Sequence, residues 1–421
     1  MVVRSMRPPA RLPSGVVAIG AQMWQAATSF ALQILASWML GASGLALVSL
    51  CYGIIIVATA VNGGIVGDSL TVLARRDSTI NGGLNGWLLT VALIGGVGGA
   101  SCLYVAGVLD AAAAIAFAGA AAAFMVEDTL RRVHIARLQF WRLFLIDGAA
   151  LAGTLVTIAV AGRIDQMSVL VFLAALGVGQ VIGGAVAWLL LPRSDRLLGV
   201  PRARGMRIVG AFGLWRGAQV ALTPTIQTAA RVVILHAAGA AALGHIEAGR
   251  IYVAPAVLTV QGFGSYLFAR YALSTDEPTS RLIALAHKSA LYLAGLALAL
   301  GALALLLLPI LGPLVSGPTF LIDPVVVLGW SCAAASTAGL QPFASLAAAR
   351  GHQRRVFGLR TVDAVLAPAA LWAALALLAM PPAYSPYILA GGLVLAGWLV
   401  RRFALAPLVA LERAGQTDGS P

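Results

Sequence analysis

Apolar residues fill this chain in stretches of about 20 or more, broken by glycine, proline or arginine. A helix rising 1.5 Å per residue needs about 20 of them to cross a hydrocarbon layer of about 30 Å. On that measure the pattern predicts spans at 15–40, 45–73, 86–108, 110–126, 143–162, 167–191, 208–236, 245–269, 283–311, 323–348, 357–379 and 385–410. The third and fourth are separated by little more than Leu109 and Asp110. The first apolar run is longer than the core of a signal peptide and continues into further spans, so it is expected to be retained.

Composition makes lipid the solvent. Of the 421 residues 60% are hydrophobic and 10% charged, and the mean hydropathy is +0.92. A soluble domain is roughly 45–50% apolar and about 25% charged. The net charge of +13 would point to nucleic acid in a soluble chain. Here 24 of the 28 basic residues fall in tails and alternate loops, which a cytoplasmic N-terminus makes all inner. No nucleic-acid partner is expected. The same alternation supports twelve spans, both termini in the cytoplasm, and a multi-pass protein of a bacterial plasma membrane.

Weak internal matches recur in order. Gly20-Ala21-Gln22 resembles Gly217-Ala218-Gln219, and Gly44, Tyr52 and Gly64 match Gly244, Tyr252 and Gly264. Asp147 and Asp363 each follow an arginine-bearing loop. The expected fold is therefore all-α and integral to the membrane, with about 12 transmembrane helices in two pseudo-symmetric six-helix bundles related by an axis along the membrane normal. Its parts are a cytoplasmic tail at 1–14, a bundle at 15–192, a basic linker at 193–207, a second bundle at 208–410 and a tail at 411–421.

Catalytic signals are lacking. The chain carries no phosphate-binding loop and no GxSxG or HExxH motif. Cys51, Cys102 and Cys332 are widely spaced in apolar runs and read as small buried hydrophobes. Neither an enzyme, a cofactor nor a metal is expected. Gly95-Gly96-Val97-Gly98-Gly99 reads as a close helix contact rather than a nucleotide loop. Transport is the remaining class.

Charges within spans are costly and mark function or pairing. Arg216 and Arg231, 15 residues apart in the seventh span, are candidates for a cationic cavity that binds an anionic headgroup through bidentate guanidinium contacts. The alternative is ion pairing, Arg216 with Asp147 or Asp363 and Arg231 with Glu247. Gln22 and Gln25 share one face of the first span, and Gln219 holds the matching place in the seventh. These amides either bind substrate or join helices. Asp68 is a coupling-ion candidate that could instead pair with Arg75 or Arg76. Asp147 and Asp363 are further coupling-ion candidates, or anchors for the basic loops before them. His245, Glu247 and Arg250 read as a salt-bridge group at the rim.

The run from Leu40 to Arg76, LGASGLALVSLCYGIIIVATAVNGGIVGDSLTVLARR, resembles the first outer turn and second helix of polysaccharide transporters in the multidrug/oligosaccharidyl-lipid/polysaccharide (MOP) superfamily. The arginine-rich segment from Arg131 to Asp147 and the run Ala349-Arg350-Gly351-His352-Gln353-Arg354 are similar to that family as well. The resemblance implies a MATE/MOP-like pair of bundles and, in the O-antigen (Wzx-type) branch, a flippase for a lipid-linked oligosaccharide on a polyprenyl pyrophosphate. It further implies membrane lipids and glycosyltransferases or a polysaccharide polymerase as partners. Two other functions remain: a cation- or proton-coupled multidrug exporter of the same superfamily, and a non-transporting scaffold of envelope assembly.

Overall fold

A computed structural model describes residues 14–73, 77–164, 167–196, 199–274 and 277–408. The tails up to residue 13 and beyond 408, with Arg4, Arg7, Arg11 and Arg413, lie outside the described residues, as do Arg75 and Arg76. The described residues are all-α. They form α1 (Ser14–Asn62), α2 (Asp68–Val72), α3 (Ser78–Leu93), α4 (Gly99–Val105), α5 (Ala111–Ala136), α6 (Trp141–Ile164), α7 (Val169–Leu190), α8 (Ala203–Leu273), α9 (Thr279–Ser316), α10 (Pro324–Ala349), α11 (Gln353–Trp372) and α12 (Ser385–Leu399). π-Helical turns at Gly63–Gly67 and Ile94–Gly98 join α1 to α2 and α3 to α4.

The two longest helices each contain a break. Gly41 in α1 has φ +66° and Gly239 in α8 has φ +85°, a region glycine enters without a Cβ penalty. Each helix is therefore two segments joined at a turn. The breaks lie 198 residues apart, close to the spacing of the internal sequence matches. Counted with them, the described residues form twelve long segments, in line with the spans read from hydropathy. Among the described residues nine continuous helices are long and apolar enough to cross a membrane, with α1 and α8 each counted once. Their outer faces carry large apolar side chains such as Leu306 and Leu291, each 75% exposed. In water such faces would aggregate; in lipid they are the solvated surface. The chain is a multi-pass membrane protein.

The chain divides into two compact units. The first comprises residues 1–32 and 54–221, the second 33–53 and 222–421. This grouping differs from the linear division expected at 193–207. Within each unit, glycines allow close backbone approach. In the first unit, a Cβ on Gly64 would overlap the backbone of Gly217, and one on Gly213 would fall 2.6 Å from Ile65 Cα. The start of α8 is thus seated against the end of α1. In the second unit, a Cβ on Gly244 would overlap Ala42, so the turn of α1 lies against α8 there. Small residues allow such backbone approach where no hydrophobic effect drives helices together.

The Gly95–Gly99 stretch makes the expected close contact within the first unit. A Cβ on Gly95 would meet Ala58 Cβ at 2.7 Å, and one on Gly96 would meet Ala118 O at 3.0 Å. Two readings change. The fourth span does not end at 126: α5 runs on to Ala136, with Asp128 and Arg132, spaced four apart, paired along it. Cys102 is exposed on α4 rather than buried, while Cys51 is buried. Asp77 caps α3, accepting from the Ile80 and Thr79 amides, which hold its carboxyl below the usual aspartate range.

Gly64→Val should lower the melting temperature of the detergent-solubilised protein, since overpacking against backbone costs about 1–3 kcal/mol. Gly119→Ala, where a Cβ meets nothing within 4 Å, should instead stabilise α5 by about 0.5–1 kcal/mol. Equal melting temperatures for both variants would contradict the packing role given to Gly64.

Candidate functional site

In the first unit a polar cluster is built on the second half of α5. Helical spacing places Glu127 and Arg131 on one face, with Asp128 and Arg132 on the next. Arg131 donates from Nε to Asp147 Oδ1 at 3.0 Å and from Nη2 to Oδ2 at 3.3 Å, joining α5 to α6 by a bidentate pair. The two side chains are only 3% and 6% exposed. Arg132 Nε donates to Asp128 Oδ2 at 2.6 Å. Its guanidinium lies over the π-helical turn, where a Cβ on Gly63 would fall 2.5 Å from Nη2. Only a bare backbone leaves room for it. Asn62, at the head of that turn, donates to Thr129 Oγ1 at 2.8 Å.

Glu127 is 6% exposed. Among the described residues it makes no hydrogen bond or ion pair. Asp68 accepts from Arg216 Nε at 2.9 Å, and Arg216 Nη1 reaches Gln219 Oε1 at 3.3 Å. This pair is more open, at 42% for Arg216 and 33% for Asp68. His134 is satisfied by Gln139 Oε1 and Ala187 O. The acidic and arginine side chains gathered here are therefore four carboxylates (Asp68, Glu127, Asp128, Asp147) and three guanidiniums (Arg131, Arg132, Arg216). Every arginine is matched, and Glu127 is left over.

In the second unit Arg231 meets Glu247 through Nε–Oε1 at 3.0 Å and Nη2–Oε2 at 3.3 Å. Arg250 Nε also donates to Glu247 Oε2, at 2.8 Å, and its Nη2 to Gln33 Oε1 at 2.7 Å. Asp363 on α11 is buried, and its Oδ1 has no hydrogen-bond partner among the described residues. Arg360, one turn earlier, donates instead to Thr223 Oγ1 at 3.2 Å.

The structure thus brings Asp68, Arg216 and Gln219 together, and Asp147 with Arg131. Arg216 pairs with neither Asp147 nor Asp363. Gln22 is exposed and Gln25 half-buried on α1 of the first unit. Sequence reasoning misses Glu127 and Asp128 because hydropathy ends the fourth span at 126. The Glu127/Arg131 and Asp128/Arg132 spacing of four, a helical period, is the signal available.

No protein-family model matches the chain, and no curated protein does. Solved structures match it over nearly the full length. An inward-facing multidrug resistance MATE family transporter of the MOP superfamily has a TM-score of 0.71 at 13% identity, covering 95% of this chain and 99% of the other. An outward-facing multidrug resistance MATE family transporter of the same superfamily gives 0.62 at 14%, covering 95% and 96%. A MOP superfamily transporter from Pyrococcus furiosus, described as having a binding pocket of reverse polarity, gives 0.59 at 13%, covering 95% and 96%. The chain has the fold of MATE transporters of the MOP superfamily.

These matches overturn the lipid-linked oligosaccharide flippase and its polysaccharide-assembly partners, because the structures found are described mainly as MATE transporters, two of them as multidrug resistance transporters. The geometry agrees. A pyrophosphate headgroup needs free cations, and both proposed receptors are occupied, Arg216 by Asp68 and Arg231 by Glu247.

Asp147→Asn leaves Arg131 charged and unpaired within the bundle and should cost about 3–5 kcal/mol. Replacing both, as Arg131→Met with Asp147→Leu, should recover most of that loss. Asp68→Asn breaks a half-exposed pair and should cost no more than about 1 kcal/mol. Thermal unfolding of the three variants checks this ordering; an Asp147→Asn protein as stable as Asp68→Asn would contradict it.

Proposed function

We propose that the chain is a secondary transporter of the MATE type, exporting small organic molecules in exchange for protons. One observation carries the reading: Glu127 is buried in the first unit without an ion pair of its own, in a cluster holding one carboxylate more than its arginines. A lone buried carboxylate is costly to keep charged, whereas the neutral acid is not. Such a group takes a proton in one state and releases it when a cationic ligand or water reaches the cluster. The surrounding pairs fix its position, because Arg131 is held by Asp147 and Arg132 by Asp128. The drug-transporter descriptions of the structurally similar proteins support an organic substrate.

Gln22 and Gln25 on α1 supply amides that hydrogen-bond substrate, and Gln219 with the Asp68–Arg216 pair offers an adjoining polar patch within the same unit. A cationic substrate competes with Arg216 for Asp68, which gives the pair a switching role. Asp363, with one unpartnered buried oxygen, is the corresponding protonatable group of the second unit. No covalent chemistry is required of any of them.

The test is efflux of a fluorescent organic cation from proteoliposomes under an imposed pH gradient. The native protein should move the dye against its gradient, and Glu127→Gln should lose at least about tenfold of the proton-driven rate while still binding dye. Undiminished proton-driven efflux by Glu127→Gln would overturn the assignment of Glu127.

A further inference from the structure

Taking the chain as an exporter of organic molecules, we propose that its second unit holds a site for a carboxylate group carried by the substrate, with Arg360 as the receptor and Thr223 beside it. Arg360 lies two turns into α11 (Gln353–Trp372). Its Nη1 donates to Thr223 Oγ1 at 3.2 Å, and Thr223 stands at the middle of the seventh span, 208–236. The guanidinium therefore reaches a depth where a charge is costly. Its partner there is a neutral hydroxyl. Among the described residues Arg360 makes no ion pair, and its Nε is buried without a hydrogen-bond partner. Arg131 and Arg231 show what that edge is for: each offers Nε and Nη2 together to a carboxylate. Arg360 has the same edge and no carboxylate on it.

The acid nearest along the helix acts as an internal competitor. Asp363, one turn on from Arg360, is 2% exposed, and its Oδ1 has no hydrogen-bond partner among the described residues. That oxygen lies over α12, where a Cβ on Gly392 would fall 2.5 Å from it. Arg360 and Asp363 thus each keep an unpartnered polar atom, one turned to α8 and the other to α12. In this arrangement the guanidinium is open to an anion from outside; a turn of the two side chains toward each other closes it. The approach is polar as well. Thr223 and Gln227, one turn apart on α8, are both exposed, and polar groups exposed within a span face a water-filled path rather than lipid. The Thr223 hydroxyl accepts from Arg360 and has its own proton to donate to the same ligand. One guanidinium balances one negative charge, which suits a carboxylate and would leave a doubly charged phosphate half unmatched.

The test is binding, to the full chain in detergent, of rhodamine B, a cationic ring system with a free carboxylate, and of its ethyl ester, which lacks that charge. The native protein should bind the acid about tenfold tighter than the ester, the share of one charge-assisted contact. Arg360→Gln should bind the two alike, its ester binding reporting that the variant is folded. Arg401→Gln, an exposed arginine elsewhere in the unit, should keep the preference. Asp363→Asn removes the competing carboxylate and leaves Arg360 in place; it should tighten the acid by about threefold over the native protein. Acid and ester bound alike by the native protein, a preference unchanged in Arg360→Gln, or acid binding no tighter in Asp363→Asn would overturn the site and leave the exporter reading standing. Binding of neither dye would overturn both.

Discussion

A charge carried into a bundle surrounded by lipid has to be matched inside that bundle, and the polar architecture of this chain follows from that requirement. Lipid offers no hydrogen bonds and no counter-ions. Arg131 is therefore locked to Asp147, Arg132 to Asp128 and Arg231 to Glu247. These pairs tie α5 to α6 and brace the two segments of α8. They also set what can be mobile. Where every charge has its partner the cluster is fixed; where one group is left over, no ion pair holds it.

The same requirement distinguishes the two units chemically. The cluster of the first holds an extra carboxylate, that of the second an extra guanidinium. Glycine makes both clusters possible. Gly63 and Gly67 leave room for the Arg132 side chain and Gly53 for Arg231, so the guanidiniums lie directly on backbone.

Much of the fold was legible in the sequence, because lipid solvation imposes long apolar runs that mark each span. The repeat was legible too: the Gly44/Gly244 match lies beside the breaks at Gly41 and Gly239. The site was harder to read. Hydropathy ends the fourth span where Glu127 begins, although α5 continues to Ala136 through the Asp128–Arg132 pair. The partner of Arg216 is 148 residues away in Asp68, and nothing local announces it. Sequence alone leaves Arg216 and Arg231 open between a receptor for pyrophosphate and ion pairing, and the loose motifs favour the cargo that the comparisons overturn. Arg231 and Glu247, sixteen residues apart on either side of a helix break, could be paired in advance only as one of two alternatives.

The central claim is that binding of an organic cation to the first unit is linked to the proton on Glu127. Proton release on dye binding, followed in weakly buffered detergent solution, measures this directly. The native protein should release about one proton per bound dye, and Glu127→Gln should bind dye and release none. Equal release by the two proteins would contradict the claim.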